Sequence, residues 1–402
     1  MHMRQRRLKS IRAIEKKGAT GPAPISYNPG TMSDPLPAVE RAMAVFKRSV
    51  RGHPVGAYDK CRAVLQDLRV VASEVLGGEP SSWALADGHT ATIDRVAGTI
   101  AQFLAKRDPI AVVSTHSEHI GGLGAFTADP RFAVRIVAPE ELERTRAQLY
   151  FLSHLTYDTN RDLTQQIIAL ASRGGGTGAG SFDAPMVVVD GTQAVGQVDV
   201  DVARLGCQAY LTSAHKWLGG PHGSGLLYLR PDVVEKWPTP FRAGEPLCED
   251  VPIGRWEPRG GQDFSRVAGI AAAIRAYQCH ARPGGELRRR FIEKLEGALG
   301  DQVCVLKSSA QNGRVVAFAL PGTDVYPVYR RLVERGISVK CIKRQVPCAD
   351  TGEDCLEVLR VGFPWWTDAA HIDHAITVLT EILREPLELP AAAPATTQAV
   401  SV

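Results

Sequence analysis

The stretch VVVDGTQAVGQVDVDVARLGCQAYLTSAHKW, residues 187–217, decides the fold predicted for this chain. The first of its two short apolar runs ends at Asp190. The second ends at Ser213 and is followed at once by His215 and Lys216. In an open parallel sheet, ligands bind beyond the carboxyl ends of the strands. A carboxylate, a hydroxyl, an imidazole and an amine are therefore expected at one edge of a sheet.

Apolar runs elsewhere in the chain indicate that this sheet is large. They alternate with stretches of helical spacing, which is typical of parallel strands buried on both faces and separated by helices. The pattern predicts an α/β domain with a mostly parallel sheet over residues 46–265. The expected strands are 83–86, 110–114, 133–137, 149–153, 186–190, 209–213 and 225–229.

The rhythm changes after about residue 265, where charged helices and a few strands follow. Helices are expected around VAGIAAAIRAYQ, ELRRRFIEKLEGAL and AAHIDHAITVLTEILRE, and strands at RVVAFAL, ISVK and LEVLRVG. This predicts a smaller α+β domain over residues 266–386. Residues 1–45 are expected to form an N-terminal arm and lead-in segment. The Pro/Ala-rich residues 387–402 are expected to be a disordered tail.

Bulk composition excludes several classes of protein. The chain has 402 residues and a formal net charge of +4, so its slight basicity gives no case for nucleic acid. No apolar run approaches the roughly 20 residues that span a bilayer, and the basic N-terminus lacks the apolar core of a secretory signal. The eight cysteines are widely spread without a C-x-x-C pair, so we expect reduced thiols and no metal site. We therefore expect a cytoplasmic protein that binds a small molecule.

Lys216 indicates which small molecule. A lysine in a crowded turn is costly to bury unless it is paired or used covalently. Pyridoxal 5′-phosphate (PLP) needs a lysine for its Schiff base, a carboxylate that keeps the pyridine nitrogen protonated, and donors for its phosphate. The polar groups around Lys216 supply this set, so the sequence predicts a PLP site.

The D-G-x-Q…S-x-H-K arrangement and the glycine turn after it resemble the PLP-binding signature of the class V aminotransferase family, of fold type I. That family includes cysteine desulfurases, selenocysteine lyases, kynureninases and isopenicillin N epimerases. The resemblance implies Lys216 as the Schiff-base lysine and general acid/base, Asp190 beneath the pyridine nitrogen, and Gln193 near the ring hydroxyl. It implies that Ser213 and His215 bind the phosphate.

An upstream stretch supports the resemblance, which covers roughly residues 25–385. ADGHTATIDRVAG is similar to the family's G-T-T-E-x-I-N motif, with Gly88, His89 and Thr90 at its first three positions. A helix N-terminus offers free N–H groups and a favourable dipole to a phosphate. The resemblance implies that these residues bind the phosphate, although His89 replaces the first threonine.

Other stretches resemble family segments that contact the ring, the substrate and the partner subunit. His119, in a stretch similar to the E-H-x-x-N block, would stack on the pyridine ring and take part in catalysis. Arg360 would bind the substrate α-carboxylate, a task that suits a guanidinium fork, with Tyr157 and Asn28 as further substrate-binding residues. Gly261 stands where family dimers contact the partner's phosphate, so a homodimer with its active site near the subunit interface is expected.

The reaction stays open at this point. Desulfuration needs a nucleophilic cysteine after a strand such as ISVK, and there the alignment places Gln345, with Cys348 nearby. We therefore expect a lyase, of the C–S β-elimination type, acting on a modified amino acid in specialised metabolism. The pattern H-x-T-x-x-T around Tyr157 is closer to the isopenicillin N epimerase-like branch. The alternatives are an amino-acid epimerase, a decarboxylating or oxidative deaminase, an aminotransferase, a cysteine desulfurase and an inactive PLP-fold regulatory protein.

Overall fold

The computed structural model describes most of the chain between residues 25 and 385. The described ranges are 25–52, 54–104, 109–115, 120–173, 185–241, 244, 246–248, 250–280, 284–307, 313–344 and 356–385. The predicted arm up to residue 24 and the predicted tail lie outside them.

A seven-stranded sheet forms the centre of the larger unit, and the predicted strands are confirmed within a residue or so of their bounds. The strands are β2 (Trp83–Ala86), β3 (Ile110–Thr115), β4 (Phe132–Val137), β5 (Leu149–Ser153), β6 (Met186–Asp190), β7 (Ala209–Ser213) and β8 (Gly225–Leu229). Their order across the sheet is β2-β8-β7-β6-β5-β3-β4. The five strands from β7 to β4 in this order are parallel, whereas β8 runs antiparallel to both β2 and β7.

Helices cover both faces of this sheet. Val187 and Val189 pack into one apolar core and Val188 into another, because successive side chains of a strand point to opposite faces. One core is shared with α1 (Pro37–Val50), α2 (Pro54–Leu76), α5 (Thr164–Ser172), α6 (Val202–Leu205) and α8 (Ser265–His280). The other is shared with α3 (His89–Phe103), α4 (Ile120–Thr127) and α7 (Pro231–Lys236). The predicted α/β architecture is confirmed.

The smaller unit is an antiparallel sheet packed against helices. Its strand order is β12-β13-β10-β9. Its elements are β9 (Cys304–Val305), β10 (Val315–Ala319), β12 (Lys340–Arg344), β13 (Leu356–Gly362), α9 (Gly285–Leu299), α10 (Val325–Glu334) and α11 (Ala369–Arg384). Beside it, β1 (Ile25–Ser26) pairs in parallel with β11 (Ile337–Ser338).

Packing assigns two segments differently from the predicted domain boundaries. Helix α8 lies beyond residue 265, yet Val267, Ile270 and Ile274 are buried in a core of the large unit because α8 packs against α1 and α2. Tyr27 belongs to the predicted arm, yet its side chain is buried in the core of the small unit. The first described residues therefore belong to the small unit, and the chain leaves the large unit only after α8.

The sheet topology collects the ends of several strands at one edge. Strand β2 is antiparallel to β8, and β8 is antiparallel to β7, so β2 and β7 run in the same direction. The carboxyl ends of β2, β5, β6 and β7 therefore share an edge. This brings together the turn after β2, Asp190 at the end of β6 and the turn that carries Lys216.

Candidate active site

Asp190 is a buried carboxylate at the carboxyl end of β6. Its Oδ1 accepts a hydrogen bond from the Thr192 backbone amide at 2.8 Å. Its Oδ2 lies 3.0 Å from His89 Nε2, an ion-pair contact between two buried side chains. Burial alone would raise the pKa of Asp190, but the His89 charge, hydrogen bonds from His89 and Thr192, and the Lys216 charge together hold it below its ordinary value. Asp190 is therefore ionised and suited to a cationic partner.

Lys216 lies in the turn after β7, with its amine largely buried. Burial lowers its pKa from 10.5 to about 8; the positive charge of Arg360 adds to this fall, and the negative charge of Asp190 opposes it. The turn closes through a hydrogen bond from the Gly219 amide to the Lys216 carbonyl, at 3.1 Å. The neutral amine, which is the nucleophilic form, is therefore accessible near neutral pH.

The turn between β2 and α3 forms a cradle for an anion. Gly88 precedes α3 with a φ of 86°, a left-handed conformation that favours glycine. The His89 backbone amide donates to Ser213 Oγ at 3.1 Å, which ties the cradle to the end of β7. Thr90 lies exposed in the first turn of α3. The predicted phosphate-binding residues are thus neighbours at one helix N-terminus.

His215 completes the cradle. An ideal Cβ built on Gly88 would lie 3.7 Å from His215 Cε1, so the imidazole sits directly beside this turn. Burial, and then the Lys216 charge, lowers the pKa of His215, so the neutral ring is favoured. Its Nδ1 is buried and meets no hydrogen-bond partner among the residues described. An acceptor such as a phosphate oxygen would satisfy that atom.

Arg360 is buried on β13, with 2 % of its surface exposed. Its Nη1 donates to the Tyr157 carbonyl at 2.7 Å, and its Nη2 donates to Asn28 Oδ1 at 3.3 Å. The guanidinium carbon lies 4.3 Å from the centroid of the Tyr157 ring, a cation–π contact. The structure therefore brings the three predicted substrate-binding residues together, with the guanidinium held from two sides.

Gln193 and Gly30 link this arginine to the large sheet. Gln193 Nε2 donates to the Gly30 carbonyl at 3.1 Å, and its Oε1 accepts from Trp217 Nε1 at 2.9 Å. An ideal Cβ on Gly30 would lie 2.5 Å from Arg360 Nη2 and 2.8 Å from Gln193 Oε1. Only glycine therefore fits between these two side chains.

A segment that we call the N-terminal strap, residues 27–36, crosses the site between the two units. It joins the small unit where the Gly362 amide donates to the Tyr27 carbonyl at 2.7 Å. It joins the Lys216 turn where the Ser33 amide donates to the His215 carbonyl, at 2.9 Å. Of this strap, only Asn28 was predicted from the sequence to lie in the site. The dense Pro and Gly residues of SYNPGTMSDPLP were the available signal for an irregular, closely packed segment.

The remaining site predictions have different outcomes. Gly261 lies in an exposed loop, and an ideal Cβ there would meet no atom within 4 Å. Its predicted contact with a partner subunit therefore stays a prediction. His119, Gln345 and Cys348 lie outside the described residues.

Three aromatic side chains beside the site form a ring cluster. The Trp365 ring lies 5.1 Å from the Trp366 ring and 6.2 Å from the Tyr277 ring. Trp366 is partly exposed, and an ideal Cβ on Gly219 would lie 3.0 Å from its Cη2. The tryptophan pair therefore lies beside the Lys216 turn.

The contact between His89 and Asp190 was not predicted from the sequence. His89 was predicted only to bind the phosphate, whereas its imidazole reaches the buried carboxylate of Asp190. His154, by contrast, has both ring nitrogens occupied: Nδ1 lies 3.0 Å from the Tyr210 hydroxyl and Nε2 lies 2.9 Å from Thr164 Oγ1. His154 is therefore a structural residue.

The donor set fits PLP. The cradle provides amides at a helix N-terminus, a hydroxyl and a buried imidazole nitrogen for the phosphate. Asp190 provides an anion, and Lys216 provides an amine with a pKa of about 8. Within the described part of the chain, no helix is long and apolar enough to cross a membrane, and no group of three or more His, Cys, Asp or Glu side chains could hold a metal ion.

Comparisons with known proteins agree with this assignment. Residues 183–374 match the family model of class V aminotransferases. Isopenicillin N epimerase of Streptomyces clavuligerus is 26 % identical over 403 residues, which cover 90 % of this chain and 96 % of that protein. Cysteine desulfurase of Klebsiella pneumoniae is 30 % identical over 165 residues, which cover 38 % of this chain and 40 % of that protein.

Solved structures confirm the fold. The apo cysteine desulfurase of Thermococcus onnurineus NA1 superimposes with a TM-score of 0.74 at 18 % identity, covering 89 % of this chain and 94 % of that one. The cystine C–S lyase C-DES, in complex with its product cysteine persulfide, gives a TM-score of 0.72 at 21 % identity and covers 89 % of this chain and 97 % of that one. The predicted fold type I architecture is confirmed.

Proposed function

This chain is a PLP-dependent enzyme of the class V aminotransferase family, and on that premise we propose that it is a lyase that breaks a C–S bond of a modified cysteine by β-elimination. One observation carries the proposal: the Lys216 amine has a pKa of about 8 and interacts electrostatically with the buried side chains of Asp190 and Arg360. Such an amine is a base for a Cα proton.

The chain's own residues would hold the cofactor at three points. The N-terminal amides of α3, with Thr90, Ser213 and His215, would bind the phosphate. Asp190 would hold the proton on the pyridine nitrogen. When bound, PLP supplies an aldehyde that bonds to an amine and a pyridinium ring that accepts the electron pair released at Cα. Lys216 Nζ would bond to the cofactor in the resting enzyme and would take the Cα proton when substrate occupies the site.

Arg360 orients the substrate. Its guanidinium is fixed by the Tyr157 carbonyl and by Asn28, so its remaining N–H groups have a defined direction. A carboxylate that accepts two parallel hydrogen bonds from such a fork cannot rotate. The substrate's Cα–H bond is thereby aimed at Lys216, which is close enough to Arg360 for the two charges to interact.

Elimination and epimerisation differ in the number of acid–base groups that they need. Elimination needs one base, because the electron pair from the broken C–S bond leaves on the β-sulfur. Epimerisation also needs a proton donor on the opposite face of Cα. Within the described part of the chain, the groups whose charges act on Lys216 are Asp190 and Arg360. Asp190 is ionised and Arg360 keeps its proton, so neither is that donor.

An amino-acid epimerase is the second candidate. The observation that favours it is the similarity to isopenicillin N epimerase along most of both chains. His119 is the residue predicted to stack on the ring, and on this alternative it would deliver the second proton.

Product analysis distinguishes the two functions. The holoenzyme is incubated with S-substituted L-cysteines, and the products are separated by chiral chromatography. Elimination consumes one water and yields a thiol, pyruvate and ammonia in equal amounts, whereas epimerisation returns the intact amino acid with inverted configuration. Lys216→Ala is the matched control, since it removes the base. Inverted amino acid without pyruvate would refute the lyase.

The homodimer also remains a proposal. Gly261 and the exposed loop around it are the segment predicted to contact the partner's phosphate. Sedimentation of the holoenzyme at several concentrations tests this, and a monomer at all of them would contradict it.

A further inference from the structure

His89 performs two tasks at the site from one position. It is the first residue of α3, and its backbone amide donates to Ser213 Oγ in the phosphate cradle. Its imidazole points the other way, and Nε2 lies 3.0 Å from Asp190 Oδ2. The side chain is buried, with 7 % of its surface exposed. One residue therefore connects the two ends of the predicted cofactor site.

The imidazole occupies a slot that the chain keeps open. An ideal Cβ on Gly122 of α4 would lie 2.8 Å from His89 Cε1 and 3.2 Å from His89 Nε2. The same Cβ would lie 3.1 Å from Phe151 Cζ, which forms the adjoining wall. Any side chain at position 122 would therefore displace the ring. The glycine holds the imidazole against Asp190.

The Asp190 carboxylate is held from two directions. Oδ1 accepts from the Thr192 amide, and Oδ2 contacts His89. A carboxylate has about four lone-pair sites, so a position stays open for a pyridinium N–H. Contacts on both oxygens oppose rotation about the Cβ–Cγ bond. Lys216 and Tyr210 on neighbouring elements also interact electrostatically with Asp190.

We propose that His89 is a positioning residue: its imidazole fixes the orientation of the Asp190 carboxylate and thereby determines how firmly the pyridine nitrogen of PLP keeps its proton. This inference rests on the proposed role of Asp190 in cofactor binding. This role explains why histidine replaces the threonine of the family motif at position 89. The imidazole is long enough to reach the Asp190 carboxylate, whereas a threonine hydroxyl is not.

The test reads the pyridine nitrogen directly. Wild type, His89→Leu and His89→Gln are loaded with PLP labelled with ¹⁵N in the ring, and the nitrogen chemical shift is recorded. In wild type we expect the shift of a protonated pyridine. In His89→Leu we expect the shift to move toward the unprotonated value and kcat to fall about 10- to 100-fold, the loss typical of a partner that orients a site ligand. His89→Gln retains an N–H donor and should recover most of both.

A second variant moves the imidazole without changing it. Gly122→Ala places a methyl group 2.8 Å from His89 Cε1, so the ring must shift. We expect the ¹⁵N shift to change in the same direction as in His89→Leu. A wild-type shift in both variants would overturn the proposal and leave His89 with packing alone.

A matched control is available at the surface. His371 Nδ1 and Asp368 Oδ1 form an exposed pair at 2.5 Å at the start of α11. His371→Leu makes the same chemical change away from the site and should leave the ¹⁵N shift unchanged. Thermal unfolding verifies that each variant is folded. A wild-type chain that binds no labelled PLP would refute the proposed function as well, whereas bound PLP with an unaltered shift in His89→Leu would refute only the role of His89.

Discussion

The pKa of Lys216 gives the sharpest prediction about this site. It falls from 10.5 to about 8 because burial lowers it most, the negative charge of Asp190 opposes the fall, and the positive charge of Arg360 adds to it. Arg360→Gln removes a positive charge, so the pKa of Lys216 should rise. Asp190→Asn removes a negative charge, so the pKa should fall. The two variants should therefore move one titration in opposite directions.

The size of the effect follows from the two pKa values. A fall from 10.5 to about 8 corresponds to about 3 kcal/mol. At pH 7 it leaves about one amine in ten neutral, roughly 300 times the fraction in an ordinary lysine. Because the neutral amine bonds to the PLP aldehyde, the capture rate should rise about tenfold per pH unit and level off above pH 8.

Stopped-flow absorbance measures this rate. Apoenzyme is mixed with PLP between pH 6 and 10, and the visible band of the covalent complex is followed. Borohydride reduction at each pH, followed by peptide mapping, shows whether Lys216 carries the cofactor. Nα-acetyl-lysine is the control for the pH dependence of PLP itself. A wild-type rate that keeps rising to pH 10, or equal midpoints in the two charge variants, would refute the reasoning.

Three further perturbations address the rest of the structure. Gly30→Ala would place a methyl group 2.5 Å from Arg360 Nη2 and so displace the guanidinium. Because a displacement of about 1 Å can lower a rate about 100-fold, kcat/KM should fall by about that factor while PLP still binds. An unchanged kcat/KM would contradict the close fit. In the apoenzyme, Lys216 loses its proton near pH 10.5 in the unfolded chain and near pH 8 in the folded chain, so the free energy of unfolding should rise with pH between these values. Denaturant titrations of wild type and Lys216→Met test this. Equal dependence of the free energy of unfolding on pH in the two proteins would exclude it. Arg69 and Glu257 form a buried ion pair at 2.9 Å. Arg69→Met leaves the Glu257 charge uncompensated and should lower the free energy of unfolding by about 3–5 kcal/mol, and the double variant Arg69→Met/Glu257→Leu should recover most of that loss. If urea unfolding finds the double variant no more stable than the single one, an uncompensated charge is not the cause.

The large sheet was predictable from the sequence because each strand is a continuous apolar run. Runs such as 186–190 and 209–213 end at polar residues, and the rule that ligands bind beyond strand ends then placed Asp190 and Lys216 together. Each strand and its polar terminus are neighbours in sequence, so their positions did not depend on how distant elements pack.

Features that depend on distant contacts were not predictable in the same way. The slot for His89 is formed by Gly122 and Phe151, from a helix and a strand far along the chain. The apolar residues of helix α8 recur with helical spacing, but this spacing does not indicate which of the two units the helix packs against. The predicted domain boundary at residue 265 therefore assigned α8 to the small unit, whereas it packs in the large one. The two-residue pairing of β1 with β11 is too short to leave a pattern.

That pairing has a consequence for biosynthesis. Ile25 is among the first of the described residues to leave the ribosome, and its partner Ile337 follows 312 positions later. At about 5–20 residues per second, translation separates the two by about 15–60 s. During that interval the nascent chain can assemble its large sheet, and the N-terminal strap can bond to the Lys216 turn, but the strap still lacks its partner strand in the small unit. The site is therefore completed at the end of synthesis, when the last strands arrive, and a nascent chain halted before Ile337 would carry Lys216 without Arg360.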